Sequence, residues 1–153
     1  MKEYKIWFDG AARGNPGQAG AGAIFQDNES KQFNFKKYLG IATNNQAEYQ
    51  ALLIALEQLL THLKKEGVQE PIVLLIHGDS ELIIKQLRGE YKVKNPILKV
   101  FYEKVQTLLK SFKSINDRNK IDFFHIPREI NKKADELANK AIDERFNRDK
   151  SLG

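Results

Sequence analysis

The spacing of apolar residues switches period at Thr43, and this switch makes an α/β fold the expectation, with strands first and helices to cover them afterwards. From Lys5 to Phe8 charged or polar residues alternate with apolar ones, ending in Asp9-Gly10 and the bend Arg13-Gly14-Asn15-Pro16-Gly17, the pattern of a strand running into a turn. Ala19 to Gln26 and Lys31 to Leu39 read as two further strands, with Asp27-Asn28-Glu29-Ser30 as the hairpin turn between them. Past Thr43, residues Ala47, Leu52, Leu53, Ala55, Leu56, Leu59, Leu60 and Leu63 form a helical stripe that runs to Gly67, with Thr43 or Asn44 as its cap. Pro71 then opens Ile72-Val-Leu-Leu-Ile76, a continuous apolar run expected of a strand buried on both faces. A short helix over 80–88, a second restarted by Asn95-Pro96, a last strand over 121–126 and a final helix from Asn131 to about Phe146 complete the order βββαβααβα. The expected architecture is a five-stranded mixed sheet flanked by helices, an antiparallel meander of three strands joined to two parallel ones.

At 153 residues, 41% hydrophobic and with nine Phe, the chain can close one sizeable core. A single domain over 1–147 is expected, with a charged, disordered tail over 148–153. Lys and Arg number 25 against 20 Asp and Glu, a net charge of +5 that suits a polyanionic partner without requiring one. The absence of cysteine excludes disulfides, thiolate zinc sites and a cysteine nucleophile, so any metal must be held by oxygen or imidazole. The longest aliphatic run, Ile72 to Ile76, is too short to span a bilayer, and the chain reads as soluble and cytoplasmic.

Four acids stand at element boundaries: Asp9 at the end of the first strand, Glu48 early in the long helix, Asp79 after the buried strand and Asp135 near the start of the last helix. Taken singly, each has an ordinary reading, as a turn residue, a surface charge, a helix cap or a solvated helix face. In a mixed sheet, however, the ends of neighbouring central strands and the adjacent helices share one edge, where the four can meet. Crowded carboxylates repel and raise one another's pKa, and a divalent cation relieves both effects. Mg²⁺ takes oxygen ligands and keeps waters that phosphate oxygens can replace, and two ions roughly 3.5–4 Å apart support in-line displacement at a phosphodiester.

The surroundings of these acids carry more information than the acids themselves. Asp9-Gly-Ala-Ala-Arg-Gly-Asn-Pro-Gly17, Thr43-Asn-Asn-Gln-Ala-Glu48, Gly78-Asp-Ser80 and the segment from His125 through Asp135-Glu-Leu-Ala138 resemble, in order, the successive motifs of type 1 ribonuclease H. The resemblance covers Lys5 to about Ala141 and implies the ribonuclease H-like fold, with hydrolysis of the RNA strand of RNA–DNA hybrids to 5′-phosphate and 3′-hydroxyl ends. It implies that Asp9 bridges two Mg²⁺ ions, for which Mn²⁺ can substitute, that Glu48 and Asp79 complete the second ion and that Asp135 holds the nucleophile-side ion. It also implies a role in proton transfer or product release for His125, contacts to the RNA minor groove for Gly14, Asn15, Asn44 and Asn45, and a grip on a DNA phosphate for Thr43 and Asn95.

Asn44 and Asn45 suit such a role on chemical grounds, because a 2′-hydroxyl both donates and accepts and an amide matches it. Two departures stand out: Ile41 occupies a position where certain relatives carry arginine, and the stretch between Asp79 and Asn95 lacks the extra helix and basic loop of some relatives. Lys85, Arg88, Lys92, Lys94 and the pair Lys132-Lys133 are the candidate replacements for that charge, and Tyr91 a candidate to stack on a DNA sugar. His62 reads as a surface residue and His77 as a hydrogen-bonded strand residue. The expected partner is an RNA–DNA hybrid, with double-stranded RNA a further candidate whose cleavage the sequence leaves open, the protein a monomer and no membrane involved. The competing readings are a non-catalytic hybrid- or duplex-binding module, against which the full set of acids argues, and a resolvase- or transposase-like DNA nuclease, which gains nothing from Asn44 and Asn45.

Overall fold

The computed structural model describes residues 1–152, and the side chains of 1–147. The elements are β1 (Lys2–Gly14), β2 (Gly17–Gln26), β3 (Gln32–Ala42), α1 (Asn44–Lys65), β4 (Ile72–Gly78), α2 (Glu81–Leu87), α3 (Pro96–Ile115), β5 (Lys120–His125) and α4 (Lys132–Leu152), with a single 3-10 turn (Arg128–Ile130) before α4. The strands form one sheet in the order β3-β2-β1-β4-β5. Within it β1–β2 and β2–β3 are antiparallel, and β1–β4 and β4–β5 parallel, as the sequence led one to expect. The tail expected to be disordered over 148–153 lies outside the residues described with side chains, and the backbone to Leu152 continues α4.

One face of the sheet meets α1. Its helical stripe buries Leu52, Leu56, Leu59 and Leu63 against Tyr4, Ile6 and Phe8 of β1 and Ile72, Leu74 and Ile76 of β4, and α3 adds Val105, Leu109 and Phe112. Each such side chain contributes about 1.5–3 kcal/mol on burial, which outweighs the modest helix propensity of a chain this mixed. Thr43 is the α1 cap: its hydroxyl accepts from Gln46 N while the Gln46 side chain accepts from Thr43 N, a reciprocal capping box.

The other face is covered unevenly. There α4 packs on β1, β2 and β3. The approach is close because β2 carries glycines: a Cβ on Gly22 would lie 2.0 Å from Ala134 O, and one on Gly20 would lie 2.2 Å from Ala138 O. Among the described residues α4 does not extend its packing from β1 onto β4, so Val73, Leu75 and His77 of β4 remain half-buried. The expectation that β4 is buried on both faces is corrected here: a run of five aliphatic residues does not reveal that its second face has only partial cover. No helix among the described residues is long and apolar enough to cross a membrane.

Candidate active site

The site arises where β1 outruns β4. The last pair between these strands is Phe8 with Gly78, while β1 continues to Gly14 paired with β2 alone. Asp9 therefore does not end its strand, as the sequence suggested, but is the first residue past the paired stretch, at the lip of a crevice of the kind that open α/β sheets form at strand ends. Asp79 follows the last residue of β4, and its neighbour Ser80 caps α2 by accepting from Ile83 N. Glu48 arrives because the first turn of α1 lies against Gly10, where a Cβ would fall 2.2 Å from Ala47 C and 2.3 Å from Glu48 N. The short start of α4 brings Asp135.

One carboxylate oxygen each from Asp9, Glu48 and Asp79 lies within 4.8 Å of the other two. Asp135 stands beside this trio and lines the same crevice of about 320 Å³, together with Asn44, Asn45, Ser80 and Arg128. Asp9 and Glu48 are 5% and 7% exposed, so their charges are poorly solvated. Burial, reinforced by the charges of Asp79 and Asp135 against a hydrogen bond from Glu48, pushes Asp9 up to about 7. Glu48 is likewise held well above the usual carboxylate range, by burial first and then by the charge of Asp9. Its Oε2 is buried with no hydrogen-bond partner. Repelling oxygens with an orphaned acceptor among them are the donor set of a hard divalent cation, and among the described residues no softer nitrogen or sulfur ligand joins them. The residues fit the metal that the sequence reading called for.

The polar residues expected to read substrate are held by one another. Asn15 Oδ1 accepts from Asn44 N at 3.1 Å, and Asn44 Oδ1 accepts from Ala12 N at 3.1 Å, which pins the β1–β2 turn to the start of α1. Gly14 turns that hairpin with φ 95°. Asn44 is thus the first helical residue and not the cap. Thr43 and Asn95 are both helix caps, Asn95 accepting from Ile97 N and Leu98 N at the head of α3. His125 is the last residue of β5, paired with Gly78 and exposed. It is paired with the residue just before Asp79 and lies near Glu81, whose carboxyl is held low by Lys85 and more weakly by His125.

Several expectations about charge and aromatics are revised. Lys85 pairs with Glu81 at 2.7 Å and lies over the Tyr91 ring, and Arg88 donates to Phe123 O at 2.6 Å, so both cations have partners within the chain, whereas Lys92 and Lys94 are exposed. His62 is half-buried against Phe33, Phe25 and Tyr4, because these rings reach the same side of the sheet as α1. His77 is hydrogen-bonded as anticipated, its Nδ1 donating to Ile6 O at 3.0 Å between the rings of Trp7 and Phe124.

Two residues escaped the sequence reading. Asn131, 1% exposed, donates through Nδ2 to Phe8 O at 2.9 Å and to Asp79 Oδ2 at 3.0 Å, tying the entry of α4 to the strand end that carries Asp79. Its only trace in the sequence is an asparagine at a helix start, which ordinarily denotes a cap. Arg128 brings a guanidinium to the crevice from the 3-10 turn, and its position between His125 and Asp135 was the available signal.

A family model described as Reverse transcriptase-like matches residues 7–141. The bifunctional protein Rv2228c of Mycobacterium tuberculosis is 39% identical over 137 residues, 88% of this chain but 34% of its own length, so the chain spans about a third of that relative. Ribonuclease HI of Halobacterium salinarum is 36% identical over 139 residues, 90% of this chain and 63% of that protein. Among solved structures, LC11 ribonuclease H1 in complex with an RNA/DNA hybrid superposes with a TM-score of 0.80 at 42% identity, covering 94% of this chain and 99% of that one. The order of motifs, the sheet topology and these likenesses converge: the chain belongs to the type 1 ribonuclease H family.

Proposed function

We propose that this protein hydrolyses the RNA strand of RNA–DNA hybrids, with two Mg²⁺ ions held by Asp9, Glu48, Asp79 and Asp135 and with Mn²⁺ as a substitute. The observation that carries the reading is the gathering of Asp9, Glu48 and Asp79 oxygens within 4.8 Å around an unpartnered, buried Glu48 Oε2. The metal supplies charge neutralisation at the scissile phosphate and lowers the pKa of the attacking water. The chain's own groups do the rest. Asp9, at the lip between β1 and β4 and close to both Glu48 and Asp79, would hold both ions together with them, and Asp135, beside the trio, would hold the ion that activates the attacking water. The water oxygen bonds to phosphorus as the bond from phosphorus to the ribose 3′-oxygen breaks, leaving 5′-phosphate and 3′-hydroxyl ends. His125, exposed at the end of β5 and paired with Gly78 just before Asp79, suits proton delivery to or from the crevice.

Selection for RNA is assigned to Asn44, Asn45, Gly14 and Asn15. In Asn15 and Asn44 the Oδ1 accepts a backbone N–H, so the amide NH₂ is the group left to donate to a 2′-hydroxyl. Thr43 and Asn95 head α1 and α3, where backbone N–H groups favour a DNA phosphate. The proposal takes residues 1–147 as the catalytic unit, acting as a monomer in the cytoplasm, and the cleavage test below decides whether double-stranded RNA is cut as well.

The test is cleavage of end-labelled hybrid, double-stranded RNA and double-stranded DNA of one sequence, side by side, with Mg²⁺, with Mn²⁺ and with chelator. The expected result is metal-dependent cutting of the RNA strand of the hybrid, abolished in Asp9→Asn, with DNA intact. Equal cutting of the DNA duplex rejects the assignment, as does cutting that survives both chelator and Asp9→Asn.

A further inference from the structure

Asp135 is the acid of the four that stands outside the mutual 4.8 Å trio, so its direction is not set by crowding alone. The group that holds it lies one turn along α4. Asn139 Nδ2 donates to Asp135 Oδ1 at 3.2 Å and to Asp135 O at 3.0 Å. On its other side Asn139 Oδ1 accepts from an Arg13 guanidinium nitrogen at 3.3 Å, and that same nitrogen reaches Asn139 O at 3.4 Å. The remaining guanidinium arm pairs with Asp143 Oδ1 at 2.7 Å. Only one orientation of the Asn139 amide satisfies both neighbours, because arginine can only donate and an ionised carboxylate can only accept. The Arg13–Asp143 pair is too exposed, at 43% and 58%, to add much to stability. What the pair does is fix the guanidinium, and through it the amide.

Arg13 is also the residue before Gly14-Asn15, in the hairpin that Asn15 and Asn44 pin to α1. We propose that Asn139 is a positioning residue for Asp135, oriented by Arg13 and Asp143, so that the placement of the fourth carboxylate is set together with the placement of the substrate-reading hairpin. This rests on the reading of Asp135 as a metal ligand. Partners that orient a ligand in this way commonly control metal affinity by about 10–100-fold.

The experiment uses the whole chain. Mn²⁺ binding is measured by titration calorimetry without substrate, and hybrid cleavage is measured across a Mg²⁺ series, for wild type, Asp135→Asn, Asn139→Ala, Asn139→Asp, Asp143→Ala and the Asn139→Ala/Asp143→Ala double variant. Asn139→Ala is expected to weaken Mn²⁺ binding and raise half-saturating Mg²⁺ by about tenfold, with KM for the hybrid within twofold of wild type. Asn139→Asp, which faces Asp135 with a second carboxylate, is expected to lose more at unchanged side-chain size and serves if the alanine variant folds poorly. Asp143→Ala is expected to lose less, and the double variant no more than Asn139→Ala, because both act along one path. A wild-type response to both metals in Asn139→Ala, alongside a weakened Asp135→Asn, overturns the positioning role alone. An unchanged Asp135→Asn removes the ligand reading, and the proposal with it.

Discussion

Replacing Asp9 by asparagine is expected to stabilise the metal-free protein at the same time as it abolishes cleavage. In the absence of a cation the carboxyl of Asp9 is driven from 3.8 to about 7, mainly by burial. Below pH 3.8 it is protonated in the folded and unfolded chain alike. Between 3.8 and about 7 the folded chain keeps a proton that the unfolded chain has lost, so stability falls as pH rises across that window and stays low above it. A displacement of that size corresponds to about 4 kcal/mol, an upper bound because Glu48 shares the titration. Asparagine cannot ionise and removes the repulsion on Glu48 and Asp79, so a gain of about 1–4 kcal/mol is expected at pH 8, roughly 3–12 °C in Tm for a chain of this length. The assay is urea denaturation in EDTA at pH 5 and pH 8, followed by circular dichroism, and repeated with Mg²⁺. Wild type is expected to lose stability from pH 5 to 8 and recover it with metal, whereas the variant responds less in both comparisons, its remaining pH dependence coming from the buried Glu48. A wild type as stable in EDTA at pH 8 as at pH 5, or an asparagine variant less stable than wild type at pH 8, refutes the account of the site as electrostatically strained.

Three other outcomes follow from the packing. Gly10→Ala forces the first turn of α1 away from β1, since its Cβ would lie 2.2 Å from Ala47 C; expected are a loss of about 2–4 kcal/mol in urea melts and a fall in cleavage larger than that loss explains, as Glu48 is displaced. Asn131→Ala removes the donor to Phe8 O and Asp79 Oδ2 and is expected to cost about 1–3 kcal/mol and to weaken Mn²⁺ binding measured by calorimetry. Leu56→Ala, fully buried under the sheet, is expected to cost about 2–5 kcal/mol in the same melts while leaving half-saturating Mg²⁺ unchanged.

The sequence by itself determined the order of elements and named the four acids, because both are written in local pattern. Alternation over Lys5–Phe8, the stripe from Ala47 to Leu63 and the helix starts at Thr43-Asn44 and Asn95-Pro96 depend on residues within a turn or two of one another. The motifs around Asp9, Glu48, Asp79 and Asp135 are contiguous as well. What only the tertiary structure decided concerns partners far apart along the chain. The reach of β1 past β4 makes Asp9 a lip residue, and the open far face of β4 leaves Val73, Leu75 and His77 half-covered. His62 lies among rings from β1, β2 and β3, Arg88 is engaged by Phe123 O, and Asn131 bridges Phe8 and Asp79. Arg88 and Asn131 acquire their roles from partners 35 to 123 positions away along the chain. No local period encodes such a distance, and the elevated pKa of Asp9 likewise exists only once folding has removed its water and brought the other carboxylates beside it.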